Sequence, residues 1–306
     1  MWRKFTWAVA LFGVVAGHAL ANTVWTGSVS DSWFNAGNWN NGIPDVNFAV
    51  TQRAQIESIT DLANWSVIKN GESVVMSQRV LLPQNPAAIG QTRYGRLTIQ
   101  SGGSLETSDD FRAGDSPGFA DRPMVGSLVV AGDLILGDTA RFGDNAFMTL
   151  TVDVTGSIIS NADDEDFRIG TGDDTDVDFS ISGTGLVSVA GPFEMDAGGL
   201  LSLSDDGTLT LYEHIVEDED DLGNPIFIPT TKADLIDLIE GFAADGLIEG
   251  LTNTYSGPQL LRSVGNGVAY YEGADSVSFV AIPEPTAVLL MVLGGLACVS
   301  MRRRRL

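Results

Sequence analysis

Between Leu97 and Leu211 apolar residues alternate with polar ones in short runs, as in Leu97-Thr98-Ile99 and Leu128-Val129-Val130. A period of two puts successive side chains on opposite faces of a strand, so these runs predict short, half-buried strands. The runs also recur as larger units. "LTIQSGGSLETSDDFRAGD" starts at Leu97, "LVVAGDLILGDTARFGD" at Leu128, "LTVDVTGSIISNADDEDFRIGTGDD" at Leu150, "FSISGTGLVSVAGPFEMDAGG" at Phe179 and "LSLSDDGTLTLYEH" at Leu201. The starts lie 31, 22, 29 and 22 residues apart, and Phe111, Phe142, Phe167 and Phe193 recur at 31, 25 and 26. Most units read as strand, glycine, strand, Asp-rich turn and Phe. A unit this small cannot bury its own apolar face and must stack on its neighbours. The pattern therefore predicts an all-β fold, a parallel β-helix solenoid over 97–211. A β-sandwich is the alternative, because its hairpins also give short strands at roughly 8–12-residue spacing.

A solenoid needs covers at its two ends, where strand edges and apolar surface would otherwise meet water. Residues 22–60 open with a Trp- and Asn-rich stretch and are read as the N-terminal cap. Residues 231–250 form the one convincing helical stretch: Thr231 and Asp234 fit a capping box, and Leu235, Leu238, Ile239 and Phe242 share a face. Residues 220–229 read as a loop, and the last strands are expected at 267–271 and 277–282.

The two termini have a different pattern. Arg3 and Lys4 precede an apolar stretch from Phe5 to Ala16, and Ala19-Leu20-Ala21 fits a small-x-small cleavage site. Residues 1–21 are thus expected to be an export signal. Residues 282–306 hold Pro283-Glu284-Pro285, an apolar run and Arg302, Arg303, Arg304 and Arg305. The 15 residues from Ala287 to Met301 make about 22 Å of helix, short of the roughly 20 residues a membrane span takes. The arginines would hold this end in the cytoplasm.

The whole chain has a net charge of −23. Without its two ends the body, 22–281, keeps 11 basic and 39 acidic residues, a net charge of −28. Such a surface repels nucleic acid and favours cations, neutral sugars or basic surfaces. The single cysteine, Cys298, lies in the tail, so the body forms no disulfide and carries no thiolate.

Candidate chemistry is sparse. Beyond the signal the only histidine is His214, at a strand end, and it reads as a turn residue rather than a proton carrier. Carboxylate pairs that could hydrolyse a glycoside are numerous but sit in no recognisable motif. Arg112 and Arg168, in "DFRAG" and "DFRIG", are the best basic candidates, and their repetition points to pairing with neighbouring aspartates. Calcium, which takes six to eight oxygen ligands, is the one cofactor considered. Asp173, Asp174, Asp176 and Asp178 are its candidate ligands; solvated acidic corners are the other reading. Trp25, Trp33 and Trp39, with asparagines between them, either stack on a sugar or cover the open end of the solenoid.

Two stretches carry a resemblance. "WTGSVSDSWFNAGNWNNGIPD" resembles the opening of β-helical, autotransporter-like passenger proteins. The tail, with Pro283-Glu284-Pro285, its apolar run and its arginine cluster, resembles the PEP-CTERM sorting signal. In that family an exosortase in the membrane recognises the tail, cuts near Pro-Glu-Pro, and releases or re-attaches the protein at the outer surface. The family occurs in Gram-negative bacteria that make exopolysaccharide or biofilm. The resemblance implies transient residence in the inner membrane, then the cell surface or extracellular space. The expectation is an exported, non-catalytic structural or adhesive protein. The alternatives are a carbohydrate-binding module for exopolysaccharide and a polysaccharide-degrading enzyme.

Overall fold

The computed structural model describes residues 23–45, 53–83, 88–114, 120–144, 147–171, 174–219, 225–251 and 261–282, with backbone only at 217–219 and 225–227. The expected export signal and the expected sorting tail after Ile282, and with them Ala19, Ala21, Pro283, Glu284, Pro285 and Arg302 to Arg305, lie outside the described residues, as does Asp173.

The alternating runs do form a parallel β-solenoid, of about six coils: 66–82, 93–113, 124–142, 148–169, 175–195 and 199–212. Each of the first five coils places one strand on each of three faces. The first face stacks Ser66–Ile68, Arg93–Ile99, Met124–Val130, Met148–Val154, Thr175–Ile181 and Gly199–Leu203. The second stacks Ser73–Met76, Ser104–Thr107, Asp133–Leu136, Ser157–Ser160, Leu186–Val189 and Thr208–Tyr212. The third stacks Val80–Leu82, Phe111–Ala113, Ala140–Phe142, Phe167–Ile169 and Phe193–Met195.

The pairing is in register from coil to coil, so like residues stack. Leu97, Leu128, Val152, Phe179 and Leu201 form one inward column of the first face. All five are essentially buried. Each such side chain contributes about 1.5–3 kcal/mol by leaving water. Phenylalanines run through the core: Phe111, Phe142, Phe167 and Phe193 have ring centroids 5.8, 5.2 and 5.9 Å apart in succession. Two corners are especially tight. A Cβ on Gly132 would lie 2.2 Å from the Gly103 carbonyl oxygen, and one on Gly156 would lie 2.1 Å from the Gly132 oxygen. Only glycine allows the coils to approach so closely there.

The structure corrects several boundaries. The third unit is in register at Val152, two residues after Leu150. Phe142 is not the partner of Phe111; Ala140 is, and Phe142 stands opposite Ala113. Both slips are of two residues, which leaves every side chain on the same face, so alternation alone does not reveal them. A complete coil, 66–82, precedes the first unit read from sequence; it ends in Val80-Leu81-Leu82 and lacks the Asp-Phe corner that marks the others. The segment read as a loop is half of a hairpin, in which Ile215–Glu219 pairs with Pro225–Pro229. The helix runs only over Lys232–Ala244; Gly246 turns with φ of +76°, and Ile248–Gly250 joins the first face as a parallel strand.

The C-terminal end is closed by that helix and by three antiparallel strands, Ser276–Ala281, Val268–Glu272 and Arg262–Gly265, which extend the second face. Leu235, Ile239 and Ala243 of the helix are buried, and Phe242 sets its ring 6.1 Å from Phe193. The N-terminal end is closed by the tryptophan segment, joined to the third face through Thr23–Val24 and Ala54–Gln55.

Candidate functional site

The third face and the corner leading into it collect the charged residues that repeat. The connections from second to third face are three residues long at 77–79, 108–110, 137–139 and 190–192, but six at 161–166. This corner carries Asp109, Asp110, Asp138, Asp163, Asp164, Glu165 and Asp166. Beside it, the outward middle positions of the third-face strands stack Leu81, Arg112, Arg141, Arg168 and Glu194 in register.

The arginines link the coils to the corner. Asp110 is buried, and two guanidinium groups hold its Oδ2: Arg79 Nε at 2.6 Å and Arg112 Nη2 at 2.5 Å. Arg79 also reaches Asp109 at 3.1 Å. Arg168 stands among Asp166 at 2.6 Å, Glu194 at 2.9 Å and Asp144 at 3.9 Å, and Arg141 meets Asp144 at 3.1 Å. Exposed ion pairs add little singly. A buried carboxylate such as Asp110, however, leaves a costly unpaired charge if its partners are removed. Burial pushes the Glu194 carboxyl up, against the pull of Arg168.

Asp109, Asp110 and Asp138 bring carboxylate oxygens within 4.8 Å of one another, the spacing a metal ion could use. Calcium takes six to eight oxygens. Here Arg79 already holds two of the three carboxylates, so a cation would compete with a guanidinium. The aspartates singled out from sequence are arranged differently. Asp176 and Asp178 point outward from one strand, alternating with buried Val177 and Phe179, and Asp174 ends the preceding turn. Among the described residues, Asp174, Asp176 and Asp178 do not come together as a ligand group.

The tryptophans do come together. Trp25, Trp33 and Trp39 are 2%, 0% and 4% exposed, with ring centroids 5.0 and 4.9 Å apart in edge-on contact. Each indole N–H donates to a backbone oxygen: Trp25 to Asn64, Trp33 to Pro44 and Trp39 to Trp33. Their faces are used on each other and on the first coil, so they offer no open ring for a sugar. His214 is half-buried, with Nδ1 3.1 Å from the Tyr212 oxygen and Nε2 3.3 Å from Thr230 Oγ1, and it ties the base of the hairpin.

Arg112 and Arg168 were legible from the repeated Phe-Arg pair. Arg141 was not, because it precedes its phenylalanine; aligning Ala140-Arg141-Phe142 with Phe111-Arg112-Ala113 would have found it. Two cavities adjoin these elements. One of about 610 Å³ is lined by Asp163 to Asp166, Pro192, Ile215 and Val216, between the long corner and the hairpin. The other, of about 260 Å³, lies at the opposite end of the third-face strands, beside Asp174 and Asp176. No family model, curated protein or solved structure matches the chain.

Proposed function

We propose that the chain is an exported, non-catalytic protein with a structural or adhesive role at the cell surface or in the extracellular matrix, delivered by an exosortase-type system. The observation that carries the structural role is the charge ladder. Arg79, Arg112, Arg141 and Arg168 each bond to acidic groups of their own or neighbouring coils. Charge spent in this way ties coil to coil and builds a rod.

Delivery is supported by the order of Pro283-Glu284-Pro285, the apolar run and the arginine cluster. Among the described residues no helix is long and apolar enough to cross a membrane, and the tail itself lies outside them. Intact-mass spectrometry of the protein from its native host reads both processing sites at once. The expected mass lacks residues 1–21 and the chain beyond Pro-Glu-Pro. A mass that retains 286–306 overturns the sorting proposal.

A further inference from the structure

The connections from the third face to the first shorten along the stack. Ten residues, 83–92 and 114–123, separate the third-face strand from the next first-face strand at the first two of these connections, and five, 143–147 and 170–174, at the following two. The 260 Å³ notch lies where the last three of these connections enter the first face. Pro123, Val125, Phe147 and Met148 give the notch an apolar lining, and Asp174 and Asp176 complete it. The strand pattern explains the mixture. Val177 turns inward between coils while Asp176 faces out beside Thr149. Both carboxylates are exposed, and neither has a partner among the described residues.

We propose that this notch anchors a basic side chain of a partner protein, an arginine or lysine. Its aliphatic stem lies on the apolar lining and its charged head meets Asp174 and Asp176. The volume is below the roughly 300–1,000 Å³ of drug-sized sites, the scale of one anchoring side chain. An apolar lining with anionic groups beside it matches the stem and head of these residues, which bury the one and solvate the other. Phe147 is one of the lining residues, and an aromatic ring attracts a cation set over its face. The surrounding charge, −23 for the whole chain, draws basic surfaces toward it. Among the described residues the notch offers a cation two carboxylates and Thr149, fewer than the six to eight oxygens calcium takes. The inference does not depend on the route of export.

The test is calorimetric titration of the full-length protein with acetyl-Leu-Arg-Leu-amide and with its citrulline analogue, a neutral isostere. Saturable one-to-one binding of the arginine peptide is expected, weakened about tenfold by citrulline or by Asp174→Asn with Asp176→Asn. These two aspartates are exposed, so the double variant should melt like the parent. Asp163→Asn with Asp164→Asn removes the same charge at the other acidic corner and should leave affinity unchanged. Equal affinity for the two peptides, or no saturation by about 1 mM peptide, overturns the proposal. So does equal weakening in both double variants, which would make the attraction a property of net charge. Glucosamine binding as tightly as the arginine peptide would also overturn it, by making the ligand an amine-bearing sugar.

Discussion

At its N-terminal end the stack is closed by a segment with almost no regular structure, and at its C-terminal end by strands and a helix. In the first case a few short backbone contacts meet the first and third faces, Val67 N to Asp31 O and Trp33 N to Val67 O among them, and single side chains hold the cap together and meet the second face. Asn38, fully buried, accepts from the N–H groups of Val29 and Ser30 and donates to Ser30 Oγ and the Ser32 oxygen. Asp45 Oδ2 accepts from Val75 N at 3.1 Å, at the open edge of the second face, and three indoles fill the space beneath. In the second case backbone pairing is spread over Ser276–Ala281 and Val268–Glu272, and the helix lies over the last coil. Both ends meet the rule that buried backbone groups need partners. The difference is how many side chains share the work, and so how much one substitution can undo.

The largest expected effect is at the N-terminal end. Trp33→Ala should lower the unfolding free energy by about 3–5 kcal/mol in a denaturant melt, more than Ile239→Ala in the C-terminal helix. Equal losses would erase the contrast between the caps. Next comes Asn38→Ala, which removes a buried amide together with its four hydrogen bonds to Val29, Ser30 and Ser32 and should cost about 1–3 kcal/mol. Thr231→Ala, which removes the oxygen capping the helix, should cost about 1 kcal/mol.

The smallest effects are those of pH. Hydrogen bonds from the Thr231 hydroxyl and backbone N–H hold the Asp234 carboxyl below its ordinary range. Support for the helix start is therefore present above the usual carboxylate pKa and lost as pH falls through the depressed value. Glu194 runs the other way: burial raises its pKa, so its ionised form carries a cost in the fold above that raised value. Glu194→Gln should leave stability intact at low pH and compare better with the parent as pH rises. Melting curves at pH 4 and pH 8 give the sign, and a variant that falls further behind at pH 8 would show that the Arg168 pair outweighs burial.

The solenoid was legible because alternation and recurrence are properties of the chain alone. Its register was not, since a two-residue slip at Leu150 or Phe142 changes no side chain's face. The coil 66–82 and the hairpin strand Ile215–Glu219 escaped because their pairing comes from neighbours: one lacks the Asp-Phe corner, the other is largely acidic. The helix start was visible in Thr231 and Asp234, which act within four residues. Its end was set by Gly246 and by the edge of the first face, onto which 248–250 add a strand. At the charged corner, Arg112 and Arg168 stood out, whereas Asp144 and Glu194 became partners of Arg168 only through stacking of adjacent coils.

Hydrogen exchange read by mass spectrometry on Trp33→Ala tests most directly whether two separate caps seal one continuous stack. Solenoid coils are held chiefly by their nearest neighbours, so damage at one end should spread coil by coil. Protection should be lost first in Ser66–Ile68, Ser73–Met76 and Val80–Leu82, fade through the next coils, and remain at Val268–Glu272 and Ser276–Ala281. Loss that is uniform along the chain, or that begins at the C-terminal strands, would contradict independent closure of the two ends.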